Sequence, residues 1–71
     1  HALVKVTGPH AGAVKIEGRP RAAWRVAVIS AQSRKPQGKV YCCLSYRRAV
    51  SLSCQMAHDR KLHLHLEALP H

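Results

Sequence analysis

Two histidines at alternate positions, His63 and His65, with His58 shortly before them, are where metal-binding side chains gather in this sequence. Imidazole is the commonest metal ligand, but a site needs three or four ligands that converge. No cysteine sits near these histidines in parity, so they read as solvent-facing strand residues. Neither a metal nor a cofactor is expected. Cys43 is the other reactive group, and a cysteine nucleophile needs a histidine base held by a third group. Nothing in the sequence supplies that third group. Ser30, Ser33, Ser45, Ser51 and Ser53 lack the tight strand-to-helix turn that activates a serine. The acids are Glu17, Asp59 and Glu67, too few and too scattered for paired-carboxylate catalysis. The chain is expected to bind rather than to catalyse.

Charge carries the strongest signal. Twelve Lys and Arg against three Asp and Glu give a net charge of +9 over 71 residues. Such a surplus attracts phosphate backbones, anionic membrane surfaces or acidic proteins. Arg19, Arg21 and Arg25 cluster around one turn, Arg34 and Lys35 lie in a polar loop, and Arg47 and Arg48 are expected to cap the hairpin between the fourth and fifth runs. Lys5 and Lys15 share the outward parity of their strands and complete the expected basic contact face. Tyr41, read as outward beside Lys39 and Arg25, is a candidate platform on which a base could stack. No apolar run approaches the ~20 residues needed to span a bilayer, so no transmembrane segment is expected.

These side chains must be positioned by short strands. Apolar residues alternate in runs at 3–7, 13–17, 23–30, 39–46, 50–56 and 61–66, separated by Gly, Pro and polar clusters. The pattern predicts an all-β chain: a single domain over residues 1–71, built as a small six-stranded antiparallel β-sandwich or barrel. Parity sends Val4, Val6, Val14, Ile16, Trp24, Val26 and Val28 inward, with Val40, Cys42 and Leu44 from the fourth run. It also sends inward Val50, Leu52, Cys54 and Met56, then Leu62, Leu64 and Leu66. Ala27 and Ile29 fall on the outward parity, which implies that their strand is covered on both faces or bulged. The first and sixth strands are expected at edges, open to pairing with a partner or a second copy.

Matching the apolar faces of the fourth and fifth runs sets Leu44 against Leu52 and Tyr46 against Val50, with a hairpin loop between. In that register Cys42 faces Cys54, close enough for a disulfide, and Cys43 points away. With 46% apolar residues but no Phe and one Trp, the core is built mainly of Val and Leu, and Trp24 is its largest member.

The length, a start at His1 that looks processed, the six runs from Leu3 to Leu66 and the long polar loop before the fourth resemble the MAX-type effectors of plant-pathogenic fungi. Those are small secreted sandwiches of six antiparallel strands in two sheets. The resemblance spans the whole chain without a shared motif, and residues 3–7 lack the cysteine that such proteins use in their usual disulfide. It implies a secreted, non-enzymatic virulence or avirulence effector that acts inside host cells by binding a host protein, and that an immune receptor can recognise. The alternative from charge and strand pattern is a small nucleic-acid-binding β-barrel of the ribosomal or chromatin-associated kind.

Overall fold

The computed structural model describes residues 1–69. Its elements run β1 (Ala2–Ile16), β2 (Arg19–Ser30), β3 (Pro36–Cys43), α1 (Tyr46–Arg60) and β4 (His63–Ala68). They form one open, four-stranded mixed sheet in the order β3-β2-β1-β4, with β4 parallel to β1 and the other pairings antiparallel. The chain is mostly β, as expected, but the six antiparallel strands are not found. The runs at 3–7 and 13–17 belong to a single bent β1, and the run at 50–56 lies within α1.

The helix follows from the topology and from its own sequence. Parallel strands need a long crossover, and α1 carries the chain from β3 past β2 and β1 to β4. Ser45 caps its start, its hydroxyl accepting from the Arg48 amide at 3.1 Å. At the other end Lys61 adopts a left-handed conformation (φ 56°), and the amides of Lys61 and Leu62 bond back to His58 and Ala57. That double closure satisfies carbonyls the last turn would leave open. Ala49, Ser53 and Met56 form the buried stripe, flanked by Leu52 and Ala57 at helical spacing. The buried Ser53 hydroxyl is satisfied by the Val50 carbonyl at 2.8 Å.

The helix lies on one face of the sheet, over Val4 and Val6 of β1 and Trp24, Val26 and Val28 of β2. Trp24 meets Tyr46 edge-on, ring centroids 6.4 Å apart, and its indole N–H donates to the Leu69 carbonyl at 3.1 Å. The inward assignments of these five sheet residues hold. Those of β3 reverse: Tyr41 and Cys43 pack toward the core, while Val40, Cys42 and Leu44 are exposed. Tyr41 pairs with Val26 but Gln37 with Val28, so Gly38, Lys39 and Val40 stand opposite Ala27 alone. Gly38 (φ 77°) supplies the left-handed turn that this bulge requires. On the first hairpin Ile16 is exposed and Val14 half-buried, and on β4 Leu66 is exposed as well.

A second irregularity shapes β1. Thr7 pairs with Arg25 and His10 with Ala23, so Gly8 and Pro9 stand opposite Trp24 alone. Gly8 has φ 126°, and a Cβ there would sit 3.1 Å from the Ala23 carbonyl oxygen and 3.2 Å from the Trp24 Cα. Beyond this point β1 and β2 continue as a two-stranded arm, closed by Glu17 (φ 52°) and Gly18 (φ 77°). Two successive positive φ values define the tight turn that suits strand twist.

Gly8→Ala is expected to destabilise the fold by about 1–3 kcal/mol through backbone strain, and Trp24→Ala by roughly 3–5 kcal/mol. Urea denaturation followed by circular dichroism measures both. A loss below about 0.5 kcal/mol at Gly8 would mean that the strand relaxes around an added methyl.

Candidate binding surface

The strand register sorts the basic residues by end and by face. Arg25 pairs with Thr7 and Cys42, while Arg21 pairs with Val14 and Arg19 with Ile16. The arm therefore leaves the sheet at the end where β3 finishes and α1 begins. Arg19, Arg21, Arg25, Arg47, Arg48 and Lys15 gather at that end. Arg34 and Lys35 lie at the opposite end, in the turn between β2 and β3, near the helix C-terminus with Arg60 and Lys61. The expected contact face is thus split, and its larger part surrounds the arm.

Faces divide the set again. Lys5 lies across from Ala27 on the face opposite the helix, in one row with His65. Lys15 pairs with Pro20, on the other parity of β2 from Arg19, Arg21 and Arg25. The single extra residue at Gly8-Pro9 exchanges the faces of β1, and the two extra residues between His10 and Val14 do not restore them, so Lys5 and Lys15 do not share a side as the uninterrupted parity predicts. That shift leaves no mark in the hydrophobic pattern.

Lys5 is also the one Lys or Arg among the described residues in an ion pair, its ammonium 3.1 Å from Glu67. His65 approaches the second carboxylate oxygen at 3.0 Å. The bond from Lys5 holds the Glu67 carboxyl below its ordinary value, with His65 adding to it. No carboxylate stands in the first turn of α1, where Arg47 and Arg48 lie exposed beside the positive end of the helix dipole. Both cations are adverse there for stability, and both add to the positive field around the arm.

The face away from the helix has no second layer among the described residues. Leu3 pairs with Ile29 and Ile29 with Pro36, and Ala27 is buried between the Lys5 and Val40 positions. Ala27, Ile29, Pro36 and Val40 line a shallow groove of about 460 Å³ flanked by Lys5 and Arg25. Of the two proposed edge strands, the first lies inside the sheet, paired on both sides, and the sixth run forms the β4 edge.

The cysteines separate. Cys42 is exposed on β3, Cys54 is exposed on α1, and all three thiols are free. The expected Cys42–Cys54 bridge is therefore corrected: it needs Cys54 on a neighbouring strand, and the helix takes Cys54 elsewhere. Cys43 sits beside Ser45 and Arg48, but burial pushes its thiol up, Cys42 adds to this, and Arg48 only opposes it. An activated nucleophile needs the reverse. Tyr41 is half-buried against the core, with the Lys39 ammonium 5.1 Å from its ring centroid, and its outward assignment is reversed. Among the described residues no three His, Cys, Asp or Glu are grouped to hold a metal ion; His58 lies on α1, His63 and His65 on β4.

No family model, curated protein or solved structure matches the chain. Among the described residues no helix is long and apolar enough to cross a membrane.

Two outcomes are expected. A thiol reagent applied to the folded protein modifies Cys42 and Cys54 fast and Cys43 slowly; in unreduced, unfolded chain all three react, and mass spectrometry counts them. Because the folded Glu67 pKa lies below its ordinary value, its contribution to stability is present above pH 4.5 and is lost as pH falls through the folded value. Lys5→Met should move that pKa upward in an NMR titration, and an unchanged value would remove the ammonium as its cause.

Proposed function

We propose that this chain is a non-enzymatic binding module that engages nucleic acid through the basic end bearing the β1–β2 arm. One observation carries the reading: Lys15, Arg19, Arg21, Arg25, Arg47 and Arg48 lie at that end, and among the described residues none of them is ion-paired with a carboxylate. The α1 N-terminus adds its dipole to the same end. A protein that keeps two arginines against a helix dipole loses stability in isolation and recovers it when an anion arrives. Phosphates supply that anion at regular spacing along a strand.

The mechanism is electrostatic. Each phosphate neutralised by a Lys or Arg releases condensed counterions, so affinity falls as salt rises. Half or more of protein–nucleic acid hydrogen bonds go to phosphate and sugar, and exposed arginines without internal partners are suited to them.

A second reading, a secreted effector that binds a host protein, is favoured by the apolar row Leu3, Ile29 and Pro36 on the open face. That row offers a protein partner an anchor that nucleic acid does not use. The six antiparallel strands on which the likeness to MAX-type effectors rests are replaced here by four mixed strands and a helix.

Fluorescence anisotropy with a labelled 20-base-pair duplex, across a salt series, tests the first reading. The log–log slope should be about −0.9 for each phosphate contacted, and Arg21→Glu with Arg25→Glu should abolish binding. Lys35→Glu with Arg60→Glu makes the same change in net charge at the opposite end, and should weaken binding only slightly. Equal losses from the two double variants would reduce the basic end to bulk charge.

A further inference from the structure

Resting on the nucleic-acid reading, we infer that the β1–β2 arm enters the major groove of B-form DNA and that Arg19 and Arg21 face base edges there. The arm is a narrow element. His10 pairs with Ala23, then Ala11, Gly12 and Ala13 bulge opposite Ala22 alone, and beyond them Val14 pairs with Arg21, Lys15 with Pro20 and Ile16 with Arg19, the tip being only Glu17 and Gly18. Residues 15–22 are exposed throughout, so no part of the core obstructs the outer arm. Paired strands lie about 4.8 Å apart, and a ribbon of two fits a major groove about 12 Å wide. The major groove of an RNA duplex is too deep and narrow for it.

Single strands are disfavoured by where the aromatic rings lie. Proteins that bind unpaired nucleic acid stack bases on exposed aromatic side chains. Here Trp24, Tyr41 and Tyr46 all pack on the helix side of the sheet, against the core. The arm and the open face carry none.

The arm also has two different sides. The pairs Val14–Arg21 and Ile16–Arg19 share one face, with Lys15 and Pro20 on the other. Arg19 and Arg21 are therefore about 7 Å apart along one strand, close to two base steps of about 3.4 Å. An arginine fork binds guanine O6 and N7 together, and Val14 and Ile16 beside it suit thymine methyl groups. Arg25, Arg47 and Arg48, at the base of the arm, are left for phosphates.

Anisotropy at 150 mM salt, with a DNA duplex, an RNA duplex of the same sequence and each single DNA strand, tests the choice of nucleic acid. The DNA duplex should bind at least tenfold tighter than the others, and Arg19→Ala with Arg21→Ala should erase that margin. Dimethyl sulfate footprinting of the unaltered protein gives a readout that needs no variant: guanine N7, in the major groove, should be protected and adenine N3, in the minor groove, should not. Protection of adenine N3, or equal affinity for single strands or duplex RNA, overturns the groove assignment and leaves the nucleic-acid reading standing. No salt-dependent binding to any of the four probes overturns both.

Discussion

At Gly8 the backbone of β1, held at φ 126°, passes so near Ala23 and Trp24 that an added Cβ would press tightly against them, and the arm, the Trp24 anchor and the segment after β4 all meet at that approach. The two residues Gly8 and Pro9 stand opposite Trp24 alone, which bends β1 and turns its remainder out as the arm. The same bend keeps Trp24 on the helix side, where its ring meets Tyr46 and its N–H reaches the Leu69 carbonyl. Leu69 in turn donates its amide to the Gly8 carbonyl at 2.9 Å, so the segment after β4 is tied to the same point. A bulge, an aromatic anchor and the end of the parallel strand thus meet at one place. Loosening any of them loosens the base from which the arm projects.

Much of the sheet was legible from alternation alone, because Val4, Val6, Trp24, Val26 and Val28 face one covered side. The helix was not, for a specific reason. Val50, Leu52, Cys54 and Met56 alternate as a strand would, while Ala49, Leu52, Ser53, Met56 and Ala57 follow the spacing of a helix. The second pattern has a serine at its centre and two alanines, so it is the fainter of the two. Its end signal is concealed as well, since Lys61 takes the left-handed position that glycine usually marks. What decides for the helix is the parallel pairing of β4 with β1, a long-range constraint that no local window contains.

The candidate surface was legible as a list of cations and not as a place. Residue types and net charge can be counted along the chain, but bulges and strand partners are invisible to parity, and a bulge of one residue moves every later side chain across the sheet. One extra residue at Gly8-Pro9 separates Lys5 from Lys15. At β3 the pairing itself decides, because Tyr41 and Cys43 stand opposite the inward Val26 and Trp24, which leaves Val40 and Cys42 outside, and the two extra residues around Gly38 keep that parity. The topology, equally hidden, places Arg47 and Arg48 beside the arm and sends Arg34 and Lys35 to the far end. The disulfide expectation failed with the hairpin on which it stood.

The distribution of charge also bears on why so thin a core suffices. The chain has one helix on one side of a sheet, and Val4, Val6, Val26 and Ser53 are its largest wholly buried side chains. A domain of this size retains only a few kcal/mol of stability, and like charges in the bare protein draw on it. Lys5 is held by Glu67 where β1 and the edge strand β4 pair in parallel. Among the described residues the arm's cations form no such ion pair, not even with Glu17 at the tip, and the arm's strands are hydrogen-bonded to each other with little packing beneath them. An element like that opens locally at far lower free energy than the core does. Its ordering is therefore best supplied by what it binds: phosphates that relieve the crowding of arginines and a groove that packs against both strands. Charge repulsion in the free protein and affinity for a polyanion are two consequences of one arrangement, and neither can be reduced by mutation without reducing the other.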